Sequence, residues 1–185
     1  MKRILVCIIV TMIIVCFALG FIQKENVTKV ECNHIVFASK DIPNNLKKVG
    51  SLSKEYENII CAVSRGLVTL NTKDGIEPSL AASYSISNDG IEYNFVIRED
   101  VYWSDGSKIT ADNYREYFQK LLNIEDEESI SALLNIYGAK EFRQGKGSFD
   151  KLVAISCEEN TLKIRLNEKR NVFLKELPKP QYRIR

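Results

Sequence analysis

Apolar positions change their period several times along this chain, and each change marks an element. Residues 4–22 hold no charged side chain, a run close to the ~20 apolar residues that cross a bilayer as a helix. Residues 35–38, Ile-Val-Phe-Ala, form a short apolar run consistent with a buried strand. Asp41-Ile42-Pro43-Asn44-Asn45 then breaks it with turn formers. From Glu55, the positions of Tyr56, Ile59, Ile60, Val63 and Leu67 recur at helical spacing, with Gly66 as the expected stop. Leu67-Val68-Thr69-Leu70 is strand-like and runs into a turn at residues 71–75. Tyr84 and Ile86, then Ile91, Tyr93, Phe95 and Ile97, alternate with polar residues, the period of half-buried strands. Asn88-Asp89-Gly90 between them suits a hairpin, because Asp-Gly tolerates the positive φ that tight turns need.

A second Asp-Gly, Asp105-Gly106, follows Trp103. Thr110 is then a good N-cap, and Asp112 puts a carboxylate on the positive end of the helix that follows. Tyr114, Phe118, Leu121 and Leu122 fall on one face of that helix. A further helix is predicted over residues 127–143, with Ile130, Leu133, Leu134 and Tyr137 inward and Gly145-Lys146-Gly147 ending it. Residues 152–155 and 162–166 read as paired strands around Glu158-Glu159-Asn160. A last helical turn or two is predicted around Val172-Phe173-Leu174 and Leu177, before Pro178 and Pro180. The predicted class is mixed α/β (α+β) with antiparallel hairpins.

Charge narrows the functions. The chain carries a formal +2. Lys2 and Arg3 are the only charges before residue 23, so residues 23–185 sum to zero (+2 less 2). A nucleic-acid binder would carry a basic face, so no nucleic-acid partner is expected. A basic start before an apolar run is also how a secretory signal begins. Residues 1–22 therefore read as a signal peptide or an uncleaved membrane anchor, with Lys2 and Arg3 inside and the rest exported. Residues 23–34 read as a polar stalk. Of five cysteines, Cys7 and Cys16 lie in the apolar run. One disulfide among Cys32, Cys61 and Cys157 suits an exported protein, but spacing does not select the pair. With one histidine, His34, and no Cys-x-x-Cys, neither a zinc site nor any other metal or cofactor is expected.

Four pieces, in one order, carry a resemblance. They are Gly66-Leu67 with Asp74-Gly75-Ile76-Glu77-Pro78-Ser79-Leu80-Ala81; the hairpin over residues 84–98; Val101-Tyr102-Trp103-Ser104-Asp105-Gly106 leading into Ile109-Thr110-Ala111-Asp112; and Gly138-Ala139-Lys140-Glu141-Phe142-Arg143-Gln144-Gly145 with Thr161-Leu162-Lys163-Ile164-Arg165-Leu166. Together they resemble the N-terminal part of the extracytoplasmic solute-binding proteins of peptide and nickel ABC importers, the oligopeptide-binding type (solute-binding family 5). The resemblance covers about residues 35–177. It implies the N-terminal part of a periplasmic-binding-protein-like type II fold, mainly its small second domain. Residues 178–185 would then be a truncated tail, with the opposing lobe missing. It implies a monomeric, non-enzymatic receptor at the outer face of the cell membrane that binds oligopeptides or similar small solutes and serves an ABC permease. The alternative is a membrane-anchored interaction or sensor module, or a remnant without ligand binding. Three positions depart from the pattern. Arg65 stands where the family often has an acidic residue before Gly-Leu, Leu46-Lys47-Lys48 replaces Leu-Asp-Pro, and Ile130 replaces an aromatic contact.

Within that resemblance the implied ligand contact is Leu52, Ser53, Lys54, Glu55 and Tyr56, where the family's chain runs along bound peptide and offers backbone hydrogen bonds. Trp103 is expected to pack inside the small domain. Asp105 precedes Gly in a turn, where Asp is favoured for backbone reasons, so no catalytic role is assigned to it. Glu125-Asp126-Glu127-Glu128 lacks the interleaved spacing of a calcium loop and reads as a solvated helix start. His34 has no metal or general-base partner pattern, and Asn26-Val27-Thr28 is a formal glycosylation sequon.

Overall fold

The computed structural model describes residues 53–73, 75–124 and 126–185. The apolar run at 4–22, the stalk, the strand at 35–38, the break at 41–45 and Leu52 lie outside the described residues. Among the described residues no helix is long and apolar enough to cross a membrane.

The chain enters through helix α1 (Lys54–Val63), capped by the Ser53 hydroxyl, which accepts from the Tyr56 N–H at 3.3 Å. The helix ends three residues before Gly66, the predicted stop. Ser64 closes its last turn by donating both its N–H (2.9 Å) and its hydroxyl (2.5 Å) to the Ile60 carbonyl. Arg65 is then extended and forms an antiparallel bridge with Ile184. Leu67 is buried in the stretch that leads into β1 (Val68–Leu70), which pairs with β2 (Ile76–Pro78).

A four-stranded antiparallel sheet follows. It comprises β3 (Ala81–Ile86), β4 (Glu92–Ile97), β5 (Ile155–Glu158) and β6 (Thr161–Arg165), in the order β3-β4-β6-β5. The period-two pattern puts Tyr93, Phe95 and Ile97 of β4 and Leu162 and Ile164 of β6 on one buried face. Helix α2 (Ala111–Leu122) covers that face with Tyr114, Phe118, Leu121 and Leu122, as its spacing predicts. Thr110 and Asn113 cap it reciprocally: Thr110 Oγ1 accepts from the Asn113 N–H at 3.4 Å, and Asn113 Oδ1 accepts from the Thr110 N–H at 3.0 Å. Thr110→Ala is expected to lower stability by about 1 kcal/mol, measured as a shift in urea midpoint. The opposite sheet face carries Glu92, Asn94, Lys163 and Arg165 toward solvent. Lys163 pairs there with Glu158, and Arg165 reaches Glu92 at 3.9 Å.

Residues 127–143 are not one helix. A 3-10 turn (Leu133–Asn135) is followed by a strand-like step, then α3 (Ala139–Arg143). In the step, Ile136 bridges Leu166, the Tyr137 N–H donates to the Arg165 carbonyl at 2.9 Å, and the Tyr137 carbonyl accepts from the Ala154 N–H at 3.0 Å. Sheet hydrogen bonds therefore win over helical ones here, and Gly138 turns the chain out of the step at φ 77°. Tyr137, predicted inward, is 56% exposed, with the Arg165 guanidinium 5.9 Å above its ring. Similarly, Leu152 closes the short helix α4 (Phe149–Leu152) instead of opening β5. The predicted last turn is α5 (Phe173–Glu176), followed by a 3-10 turn at Pro180–Tyr182.

Two buried phenols, Tyr114 and Tyr182, and the half-buried Tyr117 tie these parts together. Tyr114 donates to the Arg65 carbonyl (3.1 Å), and Tyr117 to the Gln181 carbonyl (2.8 Å). Tyr182 donates to the Ser129 carbonyl (3.3 Å) and accepts from the Ala132 N–H (3.2 Å). Burial pushes Tyr117 and Tyr182 up to about 12 and Tyr114 well above its ordinary value, because a buried phenolate loses its hydration. A raised pKa in the folded state makes this stability fully present below the unfolded value of about 10. It is lost as pH climbs from about 10 towards about 12. The urea midpoint is therefore expected to fall steeply across that window, and a flat midpoint would contradict the burial of these hydroxyls.

Candidate functional site

A groove of about 840 Å³ opens among the described residues, within the ~300–1,000 Å³ typical of small-ligand sites. Its first wall is the end of α1 and the extended residues after it, Cys61 to Arg65. Thr69, Ser79, Leu80, Arg183, Ile184 and Arg185 also line it. The hairpin that carries Tyr102, Trp103 and Ser104 contributes to its lining.

That hairpin is rigid for reasons legible in its sequence. The Trp103 N–H donates to the Ser107 carbonyl (2.8 Å), the Gly106 N–H to the Trp103 carbonyl (3.0 Å), and Tyr102 bridges Lys108. Gly106 takes φ 85°, and Asp105 Oδ1 accepts from both the N–H (2.8 Å) and the hydroxyl (2.6 Å) of Ser107. Those bonds, the hydroxyl first, hold the Asp105 carboxyl below its ordinary range, the opposite of what a proton-donating acid needs. Asp105 is a turn residue here. Trp103 is half-buried: it packs against the core and also faces the groove. Tyr102 beside it is 58% exposed.

Among the described residues, Arg65, Arg98, Arg183 and Arg185 line the groove together with Asp100. Arg98 holds that carboxylate in a two-pronged pair, Nε to Oδ1 at 2.8 Å and a terminal nitrogen to Oδ2 at 2.6 Å. Arg183 donates to three backbone carbonyls, those of Pro178 (3.1 Å), Cys61 (3.3 Å) and Ser64 (3.2 Å). It thereby pins the end of α1 to the last residues of the chain. Arg65 is exposed at the mouth.

The sequence-predicted contacts sit at the far end of the same helix. Ser53 caps α1, Lys54 pairs with Glu57 at 3.2 Å, and Glu55 lies in the first turn. The Glu55 carboxyl is held below its ordinary value by backbone N–H first and the Ser53 hydroxyl second. The Tyr56 hydroxyl is buried without a hydrogen-bond partner. None of Ser53, Lys54, Glu55 and Tyr56 lines the groove, and Leu52 lies outside the described residues. Sequence reasoning gave no binding role to the arginine set. Arg183 and Arg185 lie well over a hundred residues from Arg65, so only folding brings them together.

Both described cysteines, Cys61 and Cys157, are free thiols. Cys61 is exposed on the groove wall, while Cys157 is half-buried beside α2. Burial first, then the Asp112 carboxylate, pushes the Cys157 thiol up to about 12, so it stays protonated and unreactive near neutrality. Among the described residues no cluster of His, Cys, Asp and Glu is able to hold a metal ion.

Comparison with known proteins bears on the same segments. The profile of bacterial extracellular solute-binding proteins, family 5 Middle, matches residues 75–185, which include the tryptophan hairpin, α2 and the whole sheet. The dipeptide-binding protein DppE of Bacillus subtilis is 29% identical over 122 residues, 65% of this chain and 22% of that protein. The oligopeptide-binding protein OppA of the same organism is 32% identical over 110 residues, 59% of this chain and 20% of that protein. Among solved structures, the Escherichia coli murein tripeptide binding protein MppA superposes with a TM-score of 0.67 at 26% identity, over 79% of this chain and 29% of that one. This chain thus spans about a fifth of the length of the curated relatives it matches. The architecture is part of the type II periplasmic-binding fold. The antiparallel sheet under α2, the tryptophan hairpin and the match over residues 75–185 place this chain in family 5 of the bacterial extracellular solute-binding proteins.

Proposed function

We propose that this chain is a substrate-binding component of a peptide-type ABC importer. It is exported, it recognises oligopeptides or similar small solutes outside the membrane, and it serves a membrane permease without catalysing a reaction. The observation that carries the reading is the groove. It has the volume of a ligand site, and the hairpin on one wall lies within the segment matched by the family. Asp100, the carboxylate that lines it among the described residues, is locked to Arg98, which suits holding a ligand rather than transforming one. The backbone of residues 52–56, at the other end of α1, is a second contact in this reading, of the kind that tolerates any ligand side chain.

Trp103 is the only tryptophan of the chain, so its fluorescence reports on the groove directly. Titrating the full chain with a mixed tripeptide-to-pentapeptide pool is expected to change that emission saturably, and Trp103→Phe to abolish the signal. If neither the emission nor the heat of mixing responds to peptide, the receptor reading fails. Capture of a specific protein partner without peptide binding would instead favour an interaction module.

A further inference from the structure

We infer that Asp105-Gly106 is a site of spontaneous isomerisation to isoaspartate, and that Ser107 holds it closed while the tryptophan hairpin is folded. The reaction needs only water. The Gly106 amide nitrogen gives up its proton and attacks the side-chain carboxyl carbon of Asp105 in its protonated form. A C–N bond forms, the carboxyl hydroxyl leaves with that proton as water, and a five-membered succinimide ring results. Water then opens the ring at one of its two carbonyls. Opening at one restores aspartate, while opening at the other leaves the chain running through the side chain with one extra backbone carbon. The water lost is regained, and nothing is oxidised or reduced. Glycine favours the attack because it has no side chain to crowd its nitrogen.

The folded turn opposes each requirement of the attack. The Gly106 N–H is engaged with the Trp103 carbonyl at 3.0 Å. Asp105 Oδ1 accepts from the N–H (2.8 Å) and the hydroxyl (2.6 Å) of Ser107, which ties the carboxyl to residue 107. Those bonds also favour the carboxylate, the form that does not take up the nitrogen. The other Asp-Gly among the described residues is built alike. The Gly90 N–H donates to the Ser87 carbonyl at 2.9 Å, and Asp89 Oδ1 accepts from the Ser87 hydroxyl and from the Ile91 N–H at 3.2 Å. Cover separates the two turns. The Lys169 side chain comes within 3.0 Å of the Cβ position at Gly90, whereas among the described residues nothing lies within 4 Å of that at Gly106. Asp105, Gly106 and Ser107 are all exposed, so their turn relies on its own hydrogen bonds. An exposed turn opens locally at far less cost than the whole domain, and each opening frees nitrogen and carboxyl together. The extra backbone carbon would put Trp103 out of register with Ser107, to which its N–H now donates at 2.8 Å.

The test incubates the full chain at neutral pH, folded and in guanidinium chloride. Isoaspartate at Asp105 and at Asp89 is then read by peptide mapping with enzymatic methylation of isoaspartyl carboxyls. The folded chain is expected to convert at Asp105 at least about tenfold more slowly than the unfolded chain, and faster than at Asp89. Ser107→Ala keeps the N–H bond to Asp105 and loses the hydroxyl bond. It is expected to raise the folded-state rate at Asp105 roughly fivefold, the worth of one such bond, and to leave Asp89 unchanged. Asp89 in the same sample therefore reports whether the variant is still folded. No isoaspartate at Asp105 in the unfolded chain overturns the site, and equal rates in the folded and unfolded chains overturn its closure. Conversion at Asp89 as fast as at Asp105 overturns the part given to cover. An unchanged rate at Asp105 in Ser107→Ala, or a rise shared equally by Asp89, overturns the assignment of Ser107.

Discussion

Gly138→Ala is expected to abolish cooperative folding, or to destabilise by more than about 4 kcal/mol. The reason is steric and local. A Cβ at Gly138 would stand 1.8 Å from the Leu152 carbonyl oxygen and 2.5 Å from its carbon, both backbone atoms that cannot swing away. The residue also sits at φ 77°, which alone costs a side-chain-bearing residue about 1–2 kcal/mol. Relief would require moving Leu152 away from the step where Tyr137 is bonded between Arg165 and Ala154, and so loosening the end of β6. Gly145 provides the internal comparison. It has φ 72°, but nothing lies within 4 Å of its Cβ position. Gly145→Ala should therefore lose only the backbone component, about 1–2 kcal/mol. Urea unfolding of the two variants followed by circular dichroism separates the clash from the φ effect. Similar losses in both would show that the contact with Leu152 is not tight.

Phe118→Ala is the second large effect, at about 3–5 kcal/mol. Phe118 is fully buried under the sheet, with the Tyr114 ring edge-on at 5.8 Å and the Tyr117 ring at 6.3 Å. Truncation removes the transfer energy of the ring and leaves a cavity, because both neighbours are held by their hydroxyls to the Arg65 and Gln181 carbonyls. They cannot tip into the space without losing those bonds. A loss below about 2 kcal/mol would mean that α2 slides to refill the site. Phe118→Leu, which keeps most of the volume, should recover much of the loss.

What the sequence discloses is uneven, and the reasons are physical. The β3–β4 hairpin, Asp89-Gly90 with φ 74° at the glycine, and the capped α2 are encoded locally, so period and turn chemistry find them. Residues 127–143 mislead because the apolar spacing of Ile130, Leu133 and Leu134 fits a helix, while Ile136 and Tyr137 are claimed by partners thirty residues on and Gly138 by the Leu152 backbone. Such non-local pairing leaves no periodic trace. Likewise Ser64, not Gly66, ends α1, through a hydroxyl bond that propensity does not single out. Gly66 is small for another reason, since a Cβ there would lie 3.0 Å from the Val68 carbonyl oxygen. For the candidate site, the tryptophan hairpin is legible as a motif. The arginine side is not, because Arg65, Arg98 and Arg183 become neighbours of one groove only through the fold.

The bridge between Arg65 and Ile184 brings the residue after α1 and the last residues of the sequence side by side. Both sheets and α2 lie between these two residues in the chain, and the Tyr117–Gln181 and Tyr182–Ser129 bonds add further ties to the same end. A tension applied across residues 64 and 184 would load the Ile184 N–H bond to the Arg65 carbonyl and the Arg183 bond to the Ser64 carbonyl directly. The same closeness of ends makes this segment a unit that another scaffold can accept at a single loop, with no long linker to span the gap.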